Sequence, residues 1–579
     1  MKKVRSILVT AMIAVLLMGC SKERTREQKV STMISEIRSP FFIASMNLQD
    51  LMDKSEVMKE GTLPFTYYQV ITFFLEQDVT GIDYETEAQV VVGEGKSFLP
   101  NFYGIFKIKD EKKFVELIEK EANAEVKEKE GMKYAIKDKE KYCVAWNDEF
   151  AVISNIPMDF AAMLSGKGGK EGMKMIDKNI ALIKAANDNE INDTYVTFLE
   201  NKSDVAMLYE GKGFYGYMES MAMGEKEDLE KVKELYEGMS YELYLNFEKG
   251  SVNMEMVANL TDELKEKIDF IGKEGVREKL LAYGKSANPM MVGSYKVDVN
   301  GALEYFKKLS EDDYQGMEDE LNQEGLKIED IKGAFSGEAV YMINGVEKKE
   351  QVYDFGYDEP IIIKTDEPVF AFVLGISDRK IIEAEMNEIV ARELMETAST
   401  EQMGGYDGGS KVQVLPNGVI NMGKAFIYLS DEVLFMSNDS SWANLIAMGK
   451  GVKVNNPKGV VNENPFGMFT DLTQLSKIEG LEKEGGEYAK LFKSFYGSAN
   501  MDGGNFTLEL TDASQNSLKV LTVAVGAALA DFEKRMNPDM ETELEEAVKN
   551  TEEELDKMDL PSEEEIEEAV DDAFDKLGK

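Results

Sequence analysis

Histidine is absent from all 579 residues of this chain. Its absence removes Ser-His-Asp and Cys-His catalysis, histidine-ligated zinc and imidazole proton shuttling, but leaves carboxylate chemistry open. Cysteine is almost as scarce: Cys20 and Cys143 are the only two. Basic residues are outnumbered, 66 Lys and Arg against 109 Asp and Glu, and the formal net charge is −43. No nucleic-acid partner is therefore expected. Tryptophan occurs only as Trp146 and Trp442, which gives little support to a sugar-stacking platform. The apolar run Ile7–Met18 is too short for a comfortable membrane helix.

That short run has the character of a targeting signal. Lys2, Lys3 and Arg5 precede it, and Leu17-Met18-Gly19-Cys20 closes it. A small residue followed by Cys at the end of such a run is the bacterial lipoprotein signature. The expected processing removes residues 1–19 and places lipid on Cys20. The alternative is an ordinary signal peptide that happens to contain a Cys. Once Cys20 is lipidated, Cys143 has no partner for a disulfide. Cys143 sits in the apolar strand Tyr142–Trp146, where a packed residue is expected rather than a reactive thiol. Ser21 follows the lipidated Cys, and no Asp holds the second mature position, which favours the outer membrane. The mixed charges of Ser21–Glu27 leave the periplasmic face and the cell surface both open.

The length suits two to four domains, and the chain matches itself. "VAWNDEFAVISN" (Val144–Asn155) and "IYLSDEVLFMSN" (Ile427–Asn438) are each a strand, a polar corner holding Asp-Glu, a strand, and Ser-Asn. Four further pairs follow the same order: Pro40 with Pro289, Asp110 with Asp378, Asp204 with Pro465, and Tyr241 with Phe495. The five separations are 249, 268, 283, 261 and 254 positions, which point to duplication with drifting loop lengths. Asp110 and Asp378 suit helix N-caps. Lys249-Gly250 and Gly503-Gly504 read as turns, and Val252, Met254 and Met256 alternate as in a half-buried strand.

The element order within each unit implies an α+β fold, with a mainly antiparallel sheet and helices packed on one face. Two homologous domains are expected at residues 36–285 and 286–535, after a linker at 20–35 and before an acidic tail at 536–579. The corners Asn147-Asp148-Glu149 and Ser430-Asp431-Glu432 suit three-residue hairpin loops. Asp148, Glu149, Asp431 and Glu432 read first as turn residues; the functional alternative is a pair of acidic tips touching a cationic partner.

Cys20, "IASMNLQDLMDKS", "GIDYETEAQVVV", "YGIFKIKDEKKFVELIEK" and the "VAWNDEFAVI" hairpin carry a resemblance. The chain resembles a set of uncharacterised outer-envelope lipoproteins of Bacteroidota with a duplicated domain of unknown function. The resemblance covers most of the mature chain up to about residue 535. It implies no activity and no site residues.

Other chemical signals are thin. "VVVGEGKSF" resembles the end of a phosphate loop, but Val90 stands where the loop needs Gly, and Phe98-Leu99-Pro100 opposes a following helix. "GGYDGGS" (Gly404–Ser410) could wrap an anion but reads as a loop between elements. No calcium loop is present, and no cofactor is expected. Two carboxylates could hydrolyse a glycoside, but with this many acids a close pair carries little information.

Residues 536–579 hold 18 acidic residues against four Lys. Thr542, Thr551 and Ser562 each stand three positions before a Glu, as capping boxes do. After Pro561, the residues Ile566, Val570, Phe574 and Leu577 share one helical face. This is a solubilising tail or a docking helix for a basic, grooved partner. Together these features suggest a non-enzymatic outer-membrane lipoprotein that binds or scaffolds within the envelope. It would hold the membrane through its lipid and an envelope protein as possible partner. The alternatives are a carboxylate-dependent envelope hydrolase and a periplasmic chaperone-like holder of outer-membrane clients.

Overall fold

The computed structural model describes residues 24–57, 59, 80–93, 100–137, 141–157, 169–221, 226–323, 326–353, 361–402, 412–423, 425–477 and 489–536. Its class is α+β, and among the described residues all strand pairs are antiparallel and twenty strands form one open sheet. The first ten strands are β1 (Phe42–Asn47), β2 (Glu87–Gly93), β3 (Asn101–Lys107), β4 (Lys127–Lys129), β5 (Met132–Lys137), β6 (Tyr142–Trp146), β7 (Phe150–Asn155), β8 (Val205–Glu210), β9 (Met239–Glu248) and β10 (Ser251–Leu260). The second ten are β11 (Met291–Lys296), β12 (Phe335–Tyr353), β13 (Ile361–Ile376), β14 (Gln413–Val414), β15 (Ile420–Asn421), β16 (Phe426–Leu429), β17 (Val433–Ser437), β18 (Phe466–Asp471), β19 (Phe492–Asn500) and β20 (Gly503–Leu510).

Pairing runs β4-β5-β6-β7-β3-β2-β1-β8-β9-β10 in the first half. It runs β14-β15-β16-β17-β13-β12-β11-β18-β19-β20 in the second. The strand order is the same in both halves. Register agrees at the centre of each: Phe42 pairs with Tyr209, and Met291, 249 positions after Phe42, pairs with Thr470, 261 positions after Tyr209. The halves join where β10 lies against β20, from Ser251 opposite Glu509 to Val257 opposite Gly503.

Each half has its own core on the same side of the sheet. In the first, Ile43, Val91, Ile105, Val152 and Leu208 meet the helices Arg26–Glu36, Gly169–Asp188 and Asp193–Glu200. In the second, Val292, Met342, Val373 and Phe435 meet the segment Val276–Leu281 and the helix Ser440–Ala447. The helix Glu111–Glu116 is placed differently. Its Phe114 packs on Val144 and Trp146, which alternate with the core residues Cys143 and Ala145, so it covers the opposite face. The helix Arg379–Gln402 does the same in the second half, its Ile382 packing on Leu434 beside the core residue Phe435. Helices therefore lie on both faces rather than the expected one. The expected caps form: Asp110 Oδ1 accepts from Lys113 N at 3.1 Å, and Asp378 Oδ1 accepts from Lys380 N at 2.9 Å. Among the described residues, no helix is long and apolar enough to cross a membrane.

Several local expectations need correcting. The segment read as a linker holds the helix Arg26–Glu36, whose Val30, Met33 and Ile34 are fully buried. Val276, Leu280 and Leu281, placed on the first-domain side of the boundary, pack in the second core. Lys249 and Gly250 do turn the chain between β9 and β10, but Gly503 and Gly504 lie within β20, and Met501-Asp502 makes the corner. Gly503 has φ +133°, and a Cβ there would stand 2.0 Å from the Met256 carbonyl. The glycine permits close approach of β10 rather than a turn.

Glu338 on β12 is 4% exposed and tied to Arg277, which donates to it through its side chain and through its backbone N at 2.8 Å. Burial works to raise the Glu338 carboxyl, but the Arg277 hydrogen bonds and charge outweigh it and hold it below its ordinary 4.5. A folded-state value below the unfolded one contributes stability above the unfolded value and loses it as pH falls through the folded one. Thermal unfolding followed against pH is therefore expected to show the midpoint dropping below about pH 4.5. Glu338→Gln should start from a lower midpoint at neutral pH and show a shallower acid slope. An unchanged acid slope would show that this pair does not govern acid stability.

Candidate functional site

The two Asp-Glu corners are built alike. Asn147 Oδ1 accepts from Glu149 N at 3.0 Å and Phe150 N at 2.7 Å. Ser430 Oγ accepts from Glu432 N at 3.2 Å and Val433 N at 3.0 Å. The Glu149 and Glu432 carbonyls then accept from Ile108 N at 2.9 Å and Ile376 N at 3.0 Å. The Ser-Asn ends are tethers too. Asn155 Oδ1 accepts from Phe102 N at 2.7 Å, and Asn438 Oδ1 accepts from Phe370 N at 2.9 Å.

The acidic tips themselves are mostly engaged within the chain. Glu149 pairs with Lys29 at 2.8 Å, Glu432 with Lys279 at 2.6 Å, and Asp431 with Arg379 at 2.6 Å. Asp148 is exposed. Asp431 and Arg379 also line a cavity of 500 Å³. The β6–β7 and β16–β17 corners stand near opposite ends of the sheet, so the structure does not bring the two tips together. Cys20, Ile566, Val570, Phe574 and Leu577 lie outside the described residues, as does the stretch Gly404–Ser410. Trp146 and Trp442 are both fully buried, so neither is a stacking platform.

A different feature emerges from the register. Directly paired residues point to the same face of an antiparallel sheet, and successive residues point to opposite faces. Starting at Phe372 on β13, the pairing leads to Tyr341, Gly293, Met468 and Gly497 on successive strands. It continues through Phe506, Met254, Leu245, Val205 and Met46 on β1. This row crosses ten strands without a charged residue. Phe370, two positions from Phe372, shares its face, as do Tyr295 and its partner Phe466. Phe102 on β3 joins the same face through Val92 and Phe42.

These are the five exposed aromatic side chains on described strands: Phe102 at 45%, Tyr295 at 41%, Phe370 at 36%, Phe372 at 42% and Phe466 at 39%. The floor between them is flat for a steric reason. A Cβ on Gly293 would stand 2.1 Å from the Tyr341 ring, and one on Gly497 2.3 Å from the Phe506 ring. Glycine at both positions lets those rings lie down on the sheet. Phe495 and Phe506 stack with centroids 6.0 Å apart. At the same strands the other face is polar: Thr507 Oγ1 donates to Asn253 Oδ1 at 3.2 Å, and Glu255 and Asn505 are exposed. The sequence alternation of Val252, Met254 and Met256 signals this floor; the aromatic rows were not visible until the pairing was known.

On the helical side of the sheet lies a cavity of 540 Å³. The turn Arg38–Pro40, Tyr195, Glu210, Lys212, Gly213, Tyr215 and Gly216 line it, together with Glu219, Lys233 and Glu237. Gly213 packs where a Cβ would stand 2.0 Å from the Pro40 carbonyl, which fixes the turn against the helix Gly211–Ser220. Burial first, and the nearby Glu242 second, push the Glu210 carboxyl up, with Lys212 acting against them.

No protein-family model matches the chain, and no curated protein matches it significantly. Among solved structures, crystal form III of TP0453 aligns with 41% of this chain and 81% of its own, at 12% identity and a TM-score of 0.24. Crystal form I of TP0453 aligns with 43% of this chain and 86% of its own, at 10% identity and the same TM-score of 0.24. At that score the likeness carries no argument about fold or function.

Proposed function

We propose that this chain is a non-enzymatic, lipid-anchored component of the outer membrane that holds amphipathic, basic polypeptide segments on the open face of its sheet. The observation that carries the reading is the uncharged row across ten strands together with the five aromatic side chains on the same face, each more than a third exposed. A contiguous exposed apolar surface marks an interaction site. The outermost described strands are short, β4 with three residues and β14 with two, so the two ends of the sheet offer little for strand addition. The net charge of −43 disfavours an anionic partner and favours a basic one. Duplication accounts for the shared strand order and supplies the width of the face, because neither half alone spans it.

The anchor rests on Cys20. Cys20→Ser is expected to lose labelled-lipid incorporation and mature-size processing; normal labelling would remove the anchor from the reading. The binding face is tested separately by a photo-crosslinking residue at Met468 or, for comparison, at Asn505 on the polar face. Position 468 should crosslink a synthetic peptide with leucine on one helical face and lysine on the other, and position 505 should not. Equal crosslinking at both positions would sink the face as the binding surface.

A further inference from the structure

Several polar groups lining the cavity on the helical side make no hydrogen bond or ion pair among the described residues, Tyr195 and Glu210 among them. Tyr195 is 8% exposed, yet its hydroxyl makes no hydrogen bond among the described residues. The ring is packed away while the hydroxyl borders the cavity, where it is available to a ligand. Glu210 stands at the N-cap of the helix Gly211–Ser220, but its side chain makes no capping bond. It also has no ion pair among the described residues, although it is half-buried. The two groups are close enough that the Glu210 charge acts on the Tyr195 phenol. Lys212 lines the same cavity and makes no ion pair among the described residues. Lys233 is occupied: it lies 5.7 Å from the Tyr215 ring centre and 3.7 Å from Glu230. Glu36 is occupied as well, accepting from Asn189.

Glu219 and Glu237 also line the cavity but are exposed to solvent. The half-buried carboxylate left open is therefore that of Glu210, with the Tyr195 phenol and the exposed Lys212 ammonium around the same space. A half-buried carboxylate without a hydrogen bond is relieved by a cation that can donate to it. The phenol and Lys212 both offer hydrogen to an anionic oxygen. We propose that this cavity binds a small zwitterion, with its ammonium group against Glu210 and its anionic oxygen taking hydrogen bonds from Tyr195 and Lys212. Free amino acids and phosphoethanolamine share this chemistry, and so does a phosphatidylethanolamine headgroup. The site uses none of the residues on the apolar face, so its failure and the failure of the holding function are separate results.

The full-length protein in detergent would be titrated calorimetrically with alanine and with phosphoethanolamine, and in parallel with phosphatidylethanolamine vesicles. The expected result is saturable binding of one ligand per chain for at least one probe. Glu210→Gln and Tyr195→Phe, both nearly isosteric, should each weaken it by at least about tenfold, the size of one lost charge-assisted hydrogen bond. Variant-sensitive binding of the soluble probes assigns a free metabolite; variant-sensitive binding of vesicles alone assigns the lipid headgroup. The proposal is overturned if no probe binds the wild-type protein, or if either substitution leaves binding unchanged.

Discussion

A chain carrying Phe370→Ser together with Phe372→Ser is expected to keep its unfolding midpoint within a few degrees and to lose most of its affinity for a basic amphipathic peptide. The two rings are 36% and 42% exposed and contact each other edge-on at 5.9 Å. A Phe side chain has about 200 Å² to bury, so about 80 Å² of each ring is still open to a partner. At about 25 cal/mol per Å², covering that area contributes about 2 kcal/mol per ring, or roughly thirtyfold in affinity. Ordering the peptide offsets part of this, and a loss of at least about tenfold for the pair is the conservative expectation. Because charge also attracts the peptide, raising the salt should weaken binding in wild type and variant alike, as screening shortens the field to about 10 Å at 0.1 M. Fluorescence anisotropy of the peptide measures the affinities and their salt dependence, and a thermal melt measures the midpoint. Asn505→Ala, on the polar face of the sheet, should leave affinity unchanged. If the double variant binds as tightly as wild type, the aromatic face is not where the peptide sits. If removal of residues 537–579 raises affinity, the chain's own tail occupies the face, and an external partner is no longer its resident ligand.

The other large effect concerns the two tryptophans, which are equally buried but differently satisfied. Trp442 Nε1 donates to the Tyr283 carbonyl at 3.0 Å, and its ring meets Phe435 with centroids 5.9 Å apart. Trp146 meets Phe114 edge-on at 5.2 Å, but its Nε1 is buried without a partner. Trp442→Ala is expected to cost about 3–5 kcal/mol, through lost burial and the cavity left behind. The phenylalanine substitutions separate packing from hydrogen bonding. Trp442→Phe loses a similar volume to Trp146→Phe but also removes the donor to the part-buried Tyr283 carbonyl, which adds about 1 kcal/mol. Trp146→Phe removes an N–H that was already unsatisfied, so part of its packing loss is returned. Urea unfolding of the two Phe variants should therefore rank Trp442→Phe as clearly the less stable. Equal losses would show that the indole hydrogen bond contributes nothing.

The helix Arg26–Glu36 marks one limit of reading the chain locally. Val30, Met33, Ile34 and Ile37 stand at the spacing of one helical face, and all four are buried in the first core. That spacing was legible in the sequence but was masked by the charged residues around it. The Glu338–Arg277 pair marks another limit. Nothing local distinguishes Glu338 from the other acids, because its partner lies 61 positions away. The cavity has the same character. Tyr195 comes from one helix and Glu210 from the end of β8, and only packing places them around one space.

By itself the sequence determined the α+β class, the hairpin corners, the helix caps at Asp110 and Asp378, and the matching order of segments in the two halves. Each depends on residues close together in the chain: alternation with period two, a capping oxygen a few positions away, a turn residue between two strands. Tertiary structure alone decided that the halves join through β10 and β20 and that their apolar rows run together as one face. Alternation says that Met254 and Phe506 each face one side of some sheet. Only the register, set by hydrogen bonds between strands some 250 residues apart, puts them side by side and leaves the Tyr341 and Phe506 rings lying flat over glycines of neighbouring strands.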